Sequence, residues 1–203
     1  MGKREHWQTV YNTKSPDEVS WTQKRPNTSL DFIHSFGLDK DAKIIDVGGG
    51  DSNLVDFLLD QGYSDITVLD ISAKALEKAQ SRLGSQANKV NWVVSDITEF
   101  QPSANYDLWH DRAAFHFLTD PEQIKTYLKL VNQHVSKYLV LGTFSEKGPT
   151  KCSGLEIKQY SEKSMEMLFG KKFDKIKCQT EDHMTPFGTK QNFLYCGFRK
   201  MKP

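Results

Sequence analysis

Ile44-Ile45-Asp46-Val47-Gly48-Gly49-Gly50-Asp51-Ser52-Asn53-Leu54 decides how this chain is read. A short apolar run, the length of a buried strand, passes through three consecutive glycines and opens onto a helical pattern. Without Cβ atoms the backbone turns tightly and lets a ligand approach the main chain, and a helix start presents free N–H groups. An acid, Asp70 in Val68-Leu69-Asp70-Ile71-Ser72, closes the next apolar run. It lies about 20 residues on, the distance at which a carboxylate reads a ribose hydroxyl pair. Glycines and acid together predict a nucleoside site.

Working outward, apolar runs at 43–47, 65–69, 90–94, 106–109 and 137–141 alternate with segments carrying apolar residues three and four apart, such as Leu54, Phe57, Leu58 and Ala75, Leu76, Ala79, Leu83. Strands of this kind joined by helical crossovers make a parallel, doubly wound α/β sheet. Two more strands, Phe173–Cys178 and Asn192–Phe198, follow a helix from Ser161 to Phe169 that Ser161 caps and Gly170 stops. The connection 181–191 contains Pro186 and Gly188 and is too short for a helix, so this last pair is expected antiparallel. The expectation is one α/β domain over 1–203 with a seven-stranded, mostly parallel sheet. Its first forty residues form an aromatic cap with a helix from about Asn27 to Phe36, and 41–203 form the Rossmann-like core.

The 203 residues carry 27 Lys+Arg against 26 Asp+Glu, so no net field draws in nucleic acid or an anionic membrane. No stretch approaches the roughly 20 apolar residues of a bilayer span, and the start Met1-Gly2-Lys3-Arg4 is charged, so a cytoplasmic protein is expected. Cys152, Cys178 and Cys196 are odd in number and far apart, which predicts free thiols and no metal cluster.

What surrounds the glycines narrows the nucleoside. A dinucleotide fingerprint wants glycine or alanine where Asn53 stands, and Asp51 and Asp46 would repel a pyrophosphate, so a positively charged nucleoside is favoured. At this point the chain resembles the class I S-adenosylmethionine-dependent methyltransferases. Asp46-Val47-Gly48-Gly49-Gly50 is similar to that family's glycine loop, Asp70-Ile71-Ser72 to its ribose-binding acid, and Ser95-Asp96-Ile97 to its adenine-contacting turn. The resemblance implies S-adenosyl-L-methionine as cofactor and S-adenosyl-L-homocysteine as product. It also implies Asp46 near the methionine amine, Asp96 at the adenine amino group, and Ile71 and Ile97 on either side of the ring. Trp109–Leu118 resembles small members that include protein-lysine methyltransferase-like ones, whereas Cys152–Leu155 and His183–Thr189 fit bacterial members of unassigned substrate.

The segment after strand four lies at the carboxyl edge of the sheet, so His110, Asp111 and Arg112 are expected to border the transferred methyl. His110 is the candidate general base, with Asp111 orienting it or holding an amine. His116 is expected in the core. Trp7, Tyr11 and Trp21 must find cover on the main domain, as a lid over the cofactor that Trp21 touches or as plain packing. Lys24 and Arg25 read as solvated surface. Cys152, with Lys151 beside it, is a candidate reactive thiol, and His183 a loop residue on the substrate side. The expected function is methyl transfer to a small molecule or a protein side chain by a monomer or weak homodimer. The alternatives are a regulatory module that binds the cofactor without turnover and, more distantly, a nicotinamide-dependent oxidoreductase.

Overall fold

The computed structural model describes residues 2–202. One seven-stranded sheet holds β1 (Lys43–Val47), β2 (Asp65–Asp70), β3 (Val90–Val94), β4 (Tyr106–Arg112), β5 (Val135–Phe144), β8 (Phe173–Met184) and β9 (Lys190–Lys200). A separate two-stranded ribbon pairs β6 (Lys151–Cys152) with β7 (Leu155–Glu156). The sheet order is β3-β2-β1-β4-β5-β9-β8, with β9 antiparallel to both β5 and β8 and every other pairing parallel.

The parallel strands are apolar on both sides because helices cover both sheet faces. Helices α2 (Asn27–Ser35), α3 (Leu54–Asp60) and α4 (Ala73–Leu83) press Phe32, Leu58 and Leu76 onto one face, against Ile44, Val68, Leu108 and Val140. On the other face α5 (Pro121–His134) and α6 (Glu162–Phe169) bring Tyr127, Val131 and Phe169 onto Ile45, Trp109, Leu139 and Leu141. Each such fully buried side chain contributes about 1.5–3 kcal/mol over its exposed state. The helix starts are chemically marked. Ser72 accepts from Ala75 N, Asp120 from Glu122 N ahead of Pro121, and Ser161 from Ser164 N.

Three features depart from the sequence reading. Residues Lys3–Thr13 form a helix, α1, that rests on α4, where the sequence offered only scattered aromatics; Gln8 Oε1 anchors it by accepting from Ser72 Oγ and Lys74 N. The β8–β9 hairpin runs to Met184 and Lys190, which places His183 in a strand, not a loop. Cys178 and Cys196 are joined by a disulfide, so the expectation of three free thiols is corrected and Cys152 alone is free. The hairpin sets these two cysteines directly opposite each other, Cα atoms 4.2 Å apart, although 18 positions separate them in sequence. Among the described residues no helix is long and apolar enough to cross a membrane, and no group of three or more His, Cys, Asp or Glu is placed to hold a metal.

Candidate active site

The carboxyl ends of β1, β2, β3 and β4 meet one cleft, the position where open α/β sheets place ligands. The glycine loop forms its floor. Gly48 N and Gly49 N donate to Leu69 O at 2.7 and 3.2 Å, tying the turn to β2. The loop admits no side chain: a Cβ on Gly49 would stand 2.7 Å from Asp46 Oδ2, and one on Gly50, at φ +46°, would stand 2.8 Å from the Tyr11 hydroxyl and 2.9 Å from Asp70 Oδ2.

Asp70 ends β2 inside this cradle and is 6% exposed. Its Oδ1 accepts from Ser72 N at 2.8 Å. Burial, with Asp46 adding to it, pushes its carboxyl up to about 7 against the Ser72, Gly50 and Ile71 N–H groups. Once ionised, this carboxylate can accept from a pair of hydroxyl donors. Asp96 spends Oδ1 on Thr98 N and Oγ1, at 2.8 and 2.7 Å, and this turn leaves its other oxygen for an amino group. Ile71 and Ile97 line the same cleft, as do Asp46, Gly48 and Gly49. Asp51 is also there, paired with Arg82, which also binds Asp56. One guanidinium against two carboxylates leaves that group net negative, so Asp51 still adds to Asp46, Asp70 and Asp96 against a pyrophosphate.

β4 carries the two candidate catalytic residues within the strand, and its pleat sends them to opposite faces. His110 faces the cleft, 2% exposed: Nδ1–H donates to Asp46 Oδ1 at 2.7 Å, and Nε2 lies 2.9 Å from Ser29 Oγ. Asp111 points the other way, into the layer under α5. It accepts from Ala114 N, Phe115 N and the Tyr127 hydroxyl, and burial lifts it to about 6. It does not orient His110; Asp46 and Ser29 do. Arg112 is back on the cleft side, where Nε donates to the Tyr195 hydroxyl at 2.8 Å and Nη1 to Trp21 O at 2.9 Å. Ser29 and Tyr195 are partners that sequence reasoning missed, 81 and 83 positions away from the residues they bind.

The N-terminal aromatics roof the cleft. Trp7 meets Trp21 at 5.5 Å and Phe117 at 5.1 Å, Tyr11 meets Trp21 at 6.1 Å, and beneath them a cavity of about 150 Å³ remains. Asn53, in the place of a third glycine, pins this roof by donating to Gln23 O and Lys24 O. Arg25 lies over the Phe57 ring. His116 is fully buried, stacked on Phe144, with Nδ1 accepting from Phe144 N; burial and then the Arg112 charge push it down to about 3. Cys152 borders the cleft, yet burial raises its thiol to about 11 and Lys151 is spent on Glu156, so it is not an activated thiolate. His183 is buried at 2.7 Å from Ser20 O, holding the roof segment to β8.

Comparison with known proteins finds methyltransferases. Residues 44–137 match the model of a family described as a methyltransferase domain. The chain is 28% identical over 171 residues to malonyl-acyl-carrier-protein O-methyltransferase 1 of Ilyobacter polytropus, covering 83% of this chain and 60% of that protein. It is 26% identical over 129 residues to the eEF1A lysine and N-terminal methyltransferase of Mus musculus, covering 61% of this chain and 18% of that one. The fold is that of the N-methyltransferase NodS from Bradyrhizobium japonicum, solved with S-adenosylhomocysteine, at TM-score 0.73 and 15% identity over 97% of this chain and 99% of that one. Residues 44–137 thus match a methyltransferase domain in sequence, and the strand order over the whole chain is the fold seen in NodS. The chain spans less than two thirds of the length of either curated relative.

Proposed function

We propose that the protein transfers the methyl group of S-adenosyl-L-methionine to a nucleophile on a small molecule or a protein side chain, releasing S-adenosyl-L-homocysteine. One observation carries this: Gly48 and Gly49 of the side-chain-free loop, Asp70 and Asp96 line a single cleft with His110, while Gly50 packs behind them against Tyr11 and Asp70. When bound, the cofactor supplies an electrophilic methyl on a sulfonium. The chain's own residues do the rest. Asp70 and Asp96 hold the ribose and adenine groups, Ile71 and Ile97 flank the ring, and Asp46 faces the positive end. Trp7, Tyr11 and Trp21 exclude water above, which favours displacement at a cation.

His110 takes the proton of an acceptor that arrives protonated, through Nε2, once Ser29 Oγ gives up that nitrogen. Asp46 at 2.7 Å stabilises the imidazolium that results. Held by these residues, S-adenosyl-L-methionine would supply its methyl to the acceptor by displacement, the bond to sulfur breaking as the bond to the acceptor forms and S-adenosyl-L-homocysteine leaving. Asp111 takes no part in this reading. A cytoplasmic location and a monomeric or weakly dimeric state complete the proposal.

Calorimetric titration with S-adenosylhomocysteine tests it: saturable heat is expected, and heat from NADH instead would overturn the cofactor assignment. The closeness of the aromatic roof favours a second reading, a module that binds the cofactor without turnover. Against a range of acceptors, that module would bind S-adenosylmethionine and accumulate no S-adenosylhomocysteine. The enzyme would accumulate it and lose about 10²–10⁴-fold in kcat with His110→Gln.

A further inference from the structure

We propose that Arg112 selects the methyl acceptor by binding a carboxylate group on it, an inference that rests on the methyltransferase reading above. Of the five arginines, Arg4, Arg82 and Arg199 pair with exposed or half-buried acids and Arg25 lies on Phe57. Arg112 differs. Its guanidinium is clamped by Tyr195 OH and Trp21 O and packs at 4.7 Å on the Phe193 ring. Its Nη2 is buried without a partner. Among the described residues no carboxylate comes within ion-pair distance of it. Two of its five N–H groups are used, and a guanidinium does not shed its proton, so a charge and donors remain for a ligand in the cleft that Arg112 lines.

The surroundings sharpen the preference. His116, on the same face, also buries a ring nitrogen without a partner and is held neutral partly by the Arg112 charge. Glu181 on β8 is the nearby acid: Oε1 accepts from Gln23, Oε2 is buried without a partner, and neither oxygen lies within ion-pair distance of Arg112. The cofactor half of the cleft carries Asp46, Asp70 and Asp96, so the negative group that Arg112 needs has no place there. A planar guanidinium fork, with no lysine or helix start joined to it, matches a carboxylate better than a phosphate. That carboxylate is a handle, not the nucleophile, because a guanidinium withdraws the electron density that a methyl acceptor needs. His110 precedes Arg112 by two residues on the same strand face, about 6–7 Å along it, which sets the nucleophile one short spacer from the handle.

The test uses wild-type protein saturated with S-adenosylhomocysteine, titrated calorimetrically with matched pairs: succinate and succinamide, malonate and malonamide, benzoate and benzamide. At least one acid should bind about tenfold or more tighter than its amide. Arg112→Lys should weaken that acid about tenfold, and Arg112→Met should erase the preference, with S-adenosylhomocysteine affinity kept within about twofold in both variants. Amides binding as well as acids, a preference that survives Arg112→Met, or no acid binding at all would overturn the proposal. So would a tenfold loss of S-adenosylhomocysteine affinity in Arg112→Met, since the guanidinium would then serve the cofactor. Failure of the wild-type protein to take up S-adenosylhomocysteine would sink the methyltransferase reading instead.

Discussion

Asp70→Asn separates what the cleft costs the fold from what it does for the cofactor. Asp70 is buried in the glycine cradle and its carboxyl is pushed up to about 7, mainly by burial. A solvated aspartate titrates at about 3.9, so at about 1.36 kcal/mol per unit, ionising Asp70 in the folded chain costs about 4 kcal/mol. Because the folded pKa is the higher one, the folded state binds the proton more tightly than the unfolded chain. Stability is therefore greatest below about pH 4, falls as pH rises toward about 7, and stays lowered above it. Asparagine keeps an oxygen for Ser72 N and does not titrate. The ligand-free variant should gain about 1.5 kcal/mol over wild type at about pH 5 and about 4 kcal/mol above about pH 8. Urea unfolding at the two pH values measures both. With S-adenosylhomocysteine at a hundred times its dissociation constant, wild type should gain about 2.7 kcal/mol and the variant nothing, since its ribose acid is gone. An Asp70→Asn protein that is equally stabilised at both pH values, or less stable than wild type in alkali, would refute the reasoning.

Three further outcomes are expected. Gly50→Ala forces a side chain into left-handed backbone and against Tyr11 and Asp70; it should cost about 1–3 kcal/mol in denaturant and abolish calorimetric binding of S-adenosylhomocysteine. Asp111→Ala strands Ala114 N, Phe115 N and the Tyr127 hydroxyl. It should lose at least about 2 kcal/mol of stability while leaving the KM for S-adenosylmethionine unchanged, because the carboxylate lies outside the cleft. With its thiol raised to about 11, Cys152 should resist iodoacetamide at neutral pH, and Cys152→Ser should turn over at the wild-type rate; rapid alkylation of the native protein would contradict the burial argument.

The proposed cofactor half of the site can be read from the sequence because it is local. Strand, glycines and Asp46 lie within a dozen positions, Asp70 ends the next strand and Asp96 stands two residues past the one after, so the order of elements along the chain is nearly the order of groups along the cleft. The acceptor half cannot. Ser29 and Tyr195 reach His110 and Arg112 from more than eighty positions away, and nothing in their neighbourhoods marks them. Asp111 was misassigned although the signal was present: once 106–112 is read as a strand, alternate side chains must part company, and His110 and Asp111 cannot cooperate. Helix α1 was missed although Trp7, Val10 and Tyr11 stand three and four apart, because that short stripe is set among polar residues. The Cys178–Cys196 bridge was hidden by the lengths of two strands whose ends are polar and alternate.

The parity of β4 constrains how this chain can change. A single inserted or deleted residue within 106–112 would deliver the Asp111 carboxylate to the ligand side and bury an imidazole beneath α5, so both polar networks would break at once. Length variation near this strand should therefore be confined to the irregular stretch at 101–105, while variants of the strand itself are limited to exchange of one side chain for another.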